Sequence, residues 1–289
     1  MSYQKRLDHA FENAPVLPVS PATKYVFFSD CHRGAGNNND NFLKNKTSYT
    51  AALQYYYQNG VCYIEVGDGD ELWENRKFSQ ILEMHADVFC QLSQFHQAGR
   101  FYMLYGNHDI VKKKLIFRKN CPFDHFQCYE GIIFRSEALP KNLYVTHGHQ
   151  ADLFNSVLWK LARFLVRHLW KPLEYRGVLD PTSAAKNNTK RKKIEKRYIA
   201  YAKNNNCLLL TGHTHRPTIG NQETPYFNSG SCVHPQGITC IEVLGYQIQF
   251  VKWYASTEKS GYFRYINGKY PPIYPIYIKR EVLAFESLL

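Results

Sequence analysis

Apolar residues recur along the chain in short runs, and each run stops at a polar loop rich in Gly, Asp or His. Tyr25–Phe28 runs into Ser29-Asp30-Cys31-His32, Val61–Val66 into Gly67-Asp68-Gly69-Asp70, and Phe101–Tyr105 into Gly106-Asn107-His108-Asp109. Leu143–Thr146 runs into His147-Gly148-His149, and Cys207–Leu210 into Thr211-Gly212-His213-Thr214-His215. Short runs of β-branched, aromatic and aliphatic residues predict buried strands. Between the first three, longer patterns predict helices over Lys46–Gln58 and Glu74–Ala98, stopped by Gly60 and Gly99. This alternation predicts a largely parallel sheet with right-handed crossovers, whose ligands gather at the carboxyl ends of the strands. Later, Ile238–Leu244, Gly245-Tyr246 and Gln247–Tyr254 predict a β-hairpin, so the sheet is mixed. Residues 255–289, aromatic and partly Pro-rich, carry no readable pattern.

Between His149 and Cys207 the strand pattern gives way to helical spacing. Leu153, Phe154, Val157, Leu158, Leu161, Phe164, Leu165 and Leu169 form one stripe, with Lys160, Arg163, Arg167 and Lys171 opposite, which predicts an amphipathic basic helix. A second helix over Ser183–Asn204 carries Lys190-Arg191-Lys192-Lys193 and Lys196-Arg197. The 289 residues carry a net charge of +12. Lys160 to Arg197 holds twelve Lys and Arg against Glu174, Asp180 and Glu195, so nine of those charges belong to this stretch. Three readings stay open for it: a helical flank with a solvated basic face, a cap selecting an anionic substrate, or adsorption to an acidic membrane through the 153–197 helices. No recognised nucleic-acid module is present, so no specific nucleic-acid partner is expected.

With 44% hydrophobic and 21% charged residues, the chain is that of a folded protein rather than a disordered or fibrous one. It reads as one domain over residues 1–289, with a basic helical insertion at about 151–206. The polar N-terminal stretch and the absence of a spanning apolar run predict a cytoplasmic location, extended by the membrane reading to the inner face of the membrane. Eight cysteines without a CxxC predict free thiols.

The loops hold the chemistry. Asp30 and His32 are two apart, so an extended segment would point both side chains the same way, and likewise His213 and His215. Asp68 adds a carboxylate able to bridge two ions, Asn107 a carbonyl oxygen and His147 an imidazole. Seven N and O donors without a thiolate suit two divalent ions such as Mn²⁺, Fe or Zn²⁺.

In chain order, D-x-H (Asp30, His32), GD-x-x-E (Gly67, Asp68, Glu71), GNHD (Gly106–Asp109), HGH (His147–His149) and GHTH (Gly212–His215) resemble the calcineurin-like metallophosphoesterase superfamily, over about residues 24–254. The resemblance implies an α/β fold, a four-layer α-β-β-α sandwich with two mixed central sheets. It implies one metal on Asp30, His32 and His215, another on Asn107, His147 and His213, and Asp68 bridging them. His108 would be the general acid and Asp109 would orient its ring. Arg33 and Arg216 stand as phosphate contacts or as surface and supporting residues, and His149 as a substrate contact or a brace for His147. Two metals acidify a shared water and clamp phosphoryl oxygens, so hydrolysis of a phosphorylated anionic substrate, a mono- or diester, is expected.

Within the superfamily, GHTHRP (Gly212–Pro217), the helical insertion and Asn228-Ser229-Gly230-Ser231 are similar to the UDP-2,3-diacylglucosamine hydrolase group. His108 and His147-Gly148-His149 depart from that group's Arg and HGD, so cleavage of a lipid-linked nucleotide sugar is the second reading. A non-catalytic scaffold would call for lost ligands or a lost His108, and neither is lost.

Overall fold

The structure, a computed structural model, describes residues 1–37, 40–115, 122–124, 126–170, 185, 187–256, 263–265 and 276–289. The larger of two sheets centres on parallel strands β2 (Lys24–Phe28), β3 (Cys62–Val66), β4 (Phe101–Leu104) and β5 (Cys128–Tyr129). It continues antiparallel through β10 (Ile238–Leu244), β11 (Gln247–Ser256), β13 (Ile276–Ser287) and β12 (Phe263–Tyr265). The smaller sheet orders β1 (Val16–Pro18), β6 (Gly131–Arg135), β7 (Leu143–Thr146), β8 (Leu208–Thr211) and β9 (Tyr226–Asn228), antiparallel only between β6 and β7. Both sheets are mixed.

Burial explains the layering. Phe27, Ile64, Val66, Leu104, Ile241 and Val243 of the larger sheet meet Ile132, Phe134, Leu143, Val145, Leu208 and Leu210 of the smaller one in a continuous apolar layer. Alternate residues point away from it, as period-two side chains must. On the outer face of the larger sheet, Val26, Phe28, Tyr63 and Met103 pack against α2 (Lys46–Gln58) and α4 (Ala86–Gln97). Outside the smaller sheet, Ile133 and Leu209 pack against α1 (Tyr3–Glu12) and α8 (Asn188–Asn204). The result is the four-layer α-β-β-α sandwich.

Two predicted helices are corrected. The stretch Glu74–Ala98 is two helices, α3 (Phe78–Met84) and α4, broken at His85. The His85 ring is buried and donates from Nε2 to Asp40 Oδ2 at 2.9 Å, so a tertiary bond overrides the helical pattern there. The amphipathic helix after His149 is also broken, into α6 (Leu153–Ser156), α7 (Trp159–Leu165) and a π-helical turn, Val166–Trp170. Lys171 of its basic stripe, the predicted helix start at Ser183 and Cys121 lie outside the described residues. The second helix is described from Asn188, with Asn187 Oδ1 capping the amide of Lys190 at 3.0 Å. The β10–β11 hairpin turns at Gly245-Tyr246, and β13 adds the strand that residues 255–289 did not disclose. All seven described cysteines are free, and Cys31 is fully buried beside the site loops. Among the described residues no helix is long and apolar enough to cross a membrane.

Candidate metal centre

The five donor-bearing loops leave the carboxyl ends of β2, β3 and β4 in one sheet and β7 and β8 in the other. Backbone bonds extend the β2–β3 pairing into their loops: the amides of Asp30, His32 and Arg33 donate to the carbonyls of Gly67, Asp68 and Gly69 at 3.1, 2.9 and 3.0 Å. The second sheet is tied in by side chains. His147 Nδ1 donates to Val66 O at 2.9 Å, and the His213 amide donates to Asp30 Oδ2 at 3.0 Å. Gly67 sits where these loops converge. Its φ is +80°, and a β-carbon there would lie 2.7 Å from both the Gly106 amide and His147 Cβ.

The donors are not on extended backbone, and that expectation is corrected. Asp30, His32, Asp68, His213 and His215 all have positive φ, between 47° and 64°. Left-handed backbone is uncommon outside Gly, and among the described non-glycine residues the sole other case is Asn206. Strain of this kind gathers at functional sites. The kinks, not a period of two, aim Asp30 with His32 and His213 with His215 toward one centre.

Among the described residues three groups of ligand atoms result. Asp30, His32 and His215 form one, Asp68, His147 and His213 another, and His32, Glu71 and His108 a third beside the first, with ligand atoms within 4.8 Å of one another in each. His215 Nε2 is 3.1 Å from Asp30 Oδ1, His32 Nε2 is 3.3 Å from His215 Nε2, and His147 Nε2 is 3.2 Å from Asp68 Oδ2. His32 Nε2 lies 3.8 Å from Asp30 and 3.9 Å from Asp68, which places Asp68 between the first two groups. Asp30 Oδ1, Asn107 Oδ1, His147 Nε2 and His213 Nε2 are buried and make no hydrogen bond. Three of the four face a neighbouring side chain at ion-pair distance, His215, Asp68 and Asp152 at 3.1, 3.2 and 3.5 Å, but buried polar atoms that make no hydrogen bond cost about 1–3 kcal/mol each unless something satisfies them. Four such atoms, all of metal-ligand type, fit a divalent-cation site.

The electrostatics agree. Burial alone would push the Asp30 and Asp68 carboxyls up, but His215 beside the first and His147 beside the second hold both well below the usual range. Burial works against a charge on His147, yet Asp68 pushes it up to about 9.

A model of the calcineurin-like phosphoesterase family matches residues 23–217. The chain belongs to this family. No curated protein matches the chain. Several solved structures resemble it, among them these three. Vacuolar protein sorting 29 of Cryptosporidium parvum is 10% identical, covering 90% of this chain and 98% of that one at a TM-score of 0.40. Vps29 of Chaetomium thermophilum is 8% identical over 92% and 99%, with a TM-score of 0.41. The cold-active protein-tyrosine phosphatase of a Shewanella species is 13% identical over 81% and 78%, with a TM-score of 0.37.

In this calcineurin-like phosphoesterase, two residues take places other than those expected from sequence. Arg33 does not reach toward a substrate. It is fully buried, bonding Glu65 through two nitrogens at 2.8 and 3.0 Å and Asp70 Oδ1 through Nε at 2.7 Å. Asp109 does not orient His108. Its carboxylate accepts from the amides of Gly69 and Gly106 at 3.0 and 2.7 Å and lies 2.7 Å from Lys112 Nζ, so it clamps the site loops. The residue that orients His108 is Glu71, whose Oε1 lies 2.9 Å from His108 Nδ1 and whose Oε2 lies 2.9 Å from His32 Nδ1. Trp73 stacks on the His108 ring at 4.2 Å between centroids and 21° between planes. The signal for Glu71 was its place in GD-x-x-E; Trp73 had none.

His149 lies beside His147, rings 5.6 Å apart, and is buried with no hydrogen bond at Nδ1. Burial, then the neighbouring His147 and His213, drives its pKa well down, so it is neutral. Arg216 is exposed on the loop that carries His215. Two further residues support the site, Asp152 with no signal in the sequence and Asn228 within the Asn228–Ser231 motif. Asp152 Oδ2 lies 3.5 Å from His213 Nε2 and 2.7 Å from Lys190 Nζ. Asn228 Nδ2 donates to Gly212 O at 2.7 Å and Thr214 Oγ1 at 3.1 Å, bracing the GHTH loop from β9.

Proposed function

We propose that the protein is a metal-dependent phosphoesterase that hydrolyses phosphate mono- or diesters with two divalent ions, Mn²⁺ in first place and Fe or Zn²⁺ as the alternatives. Asp30, His32 and His215 would hold one ion, Asn107, His147 and His213 the other, and Asp68 would be shared. The observation that carries the reading is the set of four buried ligand atoms without hydrogen bonds, contributed by loops of both sheets. Bound ions supply Lewis acidity, which activates water and clamps the phosphoryl oxygens.

The chain's own contribution is the proton at the leaving group. With Nδ1–H held by Glu71 and its plane fixed by Trp73, His108 offers Nε2–H as the acid. Burial works against the imidazolium, but Glu71 and then Asp68 outweigh it and raise the His108 pKa above its ordinary value, so the proton is present near neutral pH. Arg216, exposed on the loop that carries His215, would be the guanidinium that meets substrate phosphate.

A panel of monoester, diester and acylated nucleotide-sugar substrates with each metal tests the reading and separates it from the lipid-linked pyrophosphatase. Hydrolysis of p-nitrophenyl phosphate or its bis ester is expected, with about two metal equivalents bound. An inert metal-loaded protein, or an Asp68→Asn variant with full metal content and activity, would overturn it. His108→Ala should lose on the order of 10²- to 10⁴-fold in rate with an alkyl leaving group and far less with p-nitrophenolate, which needs no proton.

A further inference from the structure

In the insertion the apolar positions face outward. Leu153, Val157, Leu161 and Phe164 are 54%, 54%, 48% and 57% exposed, and Leu158 and Leu169 are exposed with them. Leu161 and Phe164 lie three apart on α7 and so share one of its faces, while Leu153, Val157 and Leu158, on α6 and in the turn that follows it, add exposed apolar surface just before that helix. Isolated exposed apolar residues are ordinary on a soluble surface, but several together mark an interaction site. A solvated basic flank would bury the apolar side and expose the charges; here both point out.

Cations accompany Leu161 and Phe164. Lys160 is exposed on the same helix, and the Arg163 guanidinium lies 4.9 Å over the Trp159 ring. Lys190 joins α8 to this segment, 2.7 Å from Asp152 and 5.9 Å over the Phe154 ring. Along α8, Lys192, Lys193 and Lys196 are exposed. An apolar surface flanked by Lys, Arg and Trp has the chemistry of a helix lying in a membrane interface, and anionic headgroups attract such cations at short range. We propose that residues 153–169 dock on an acidic membrane surface, with Leu161 and Phe164 inserted among the headgroups and Lys160, Lys192 and Lys193 facing lipid phosphates.

The segment is tied to the candidate centre through Arg167. Arg167 donates to the carbonyls of Leu72 and Trp73, and Trp73 stacks on His108. The proposal does not depend on the hydrolase reading, because docking is measured without substrate.

The test is cosedimentation of the full chain with phosphatidylcholine–phosphatidylglycerol vesicles and with phosphatidylcholine vesicles. Binding to the acidic vesicles, weakened by salt, is expected. Leu161→Asp with Phe164→Asp should lower partitioning about tenfold or more, while p-nitrophenyl phosphate hydrolysis stays at its wild-type level. Leu161→Gln with Phe164→Gln, checked by circular dichroism, serves if the Asp pair disturbs folding. Equal binding to both vesicle types, no binding to either, or unchanged binding by both paired variants would overturn the proposal. So would a shift from dimer to monomer caused by the paired substitutions without vesicles, which would assign the surface to a second copy of the chain.

Discussion

Glu71 holds two histidines with one carboxylate, His32 on Oε2 and His108 on either oxygen, at 2.8–2.9 Å. Its oxygens also accept the amides of Trp73 and Glu74 at 3.2 Å, so its own position is fixed. An acid must carry its proton, so activity through His108 falls as pH rises through its pKa, and Glu71 holds that pKa up. Glu71→Gln keeps the shape and removes the charge. The alkaline fall of kcat/KM for an alkyl phosphate should then begin at a lower pH. A pH–rate profile of this variant that overlays the wild type would refute the pairing. At this scale the donor types and their order were legible, because metal chemistry restricts which side chains can serve. The left-handed turns at Asp30, His32, Asp68, His213 and His215 were not, since Asp and His only permit such backbone. Arg33 was misread for a related reason: its place after D-x-H does not reveal the carboxylates of Glu65 and Asp70 that enclose it.

Between elements, a cluster of buried charges fixes the loops that carry the donors. Arg33 follows β2, Glu65 ends on β3, Asp70 and Asp109 lie in the next two loops, and Lys112 opens α5 (Lys112–Leu115). Lys112 Nζ lies 2.7 Å from both Asp70 Oδ2 and Asp109 Oδ2, and Arg33 Nε donates to Asp70 Oδ1. Burial would raise the Asp70 pKa, but Arg33 and then Lys112 hold it down at about 2. A carboxylate lowered on folding stabilises the fold above its ordinary pKa of 3.8, and the gain is lost as pH falls toward 2. Asp70→Asn leaves both cations short of a partner and should cost about 3–5 kcal/mol. Its stability should also lose part of the wild-type slope between pH 4 and 2, as read by thermal unfolding across that range. Most of the architecture is local and was legible: α2 and the β10–β11 hairpin stand where periodicity and turn residues put them. The break at His85 and the addition of β13 to β11 were not, because a buried bond to Asp40 and a long-range pairing decide them.

For the molecule as a whole, the centre exists only when the two sheets are packed, since Asp30 and Asp68 come from one and His147 and His213 from the other. An ion that binds there recognises the folded chain and not the unfolded one, so it stabilises by mass action, about 2.7 kcal/mol at a hundredfold excess over Kd. For a chain of this size that is a rise of roughly 5–10 °C in Tm, reversed by chelation. Protons compete for the same atoms. Burial disfavours the charged form of His147, but Asp68 holds its pKa at about 9 in the ion-free protein, so near neutral pH an entering ion must displace that proton. The stabilisation by Mn²⁺ or Zn²⁺ should therefore grow as pH rises from about 6 to 8, and it should be lost in Asp68→Asn. Thermal unfolding with and without metal across that range checks both. A metal-induced rise in Tm that is independent of pH, or one that survives in Asp68→Asn, would place the bound ion elsewhere than between His147 and Asp68.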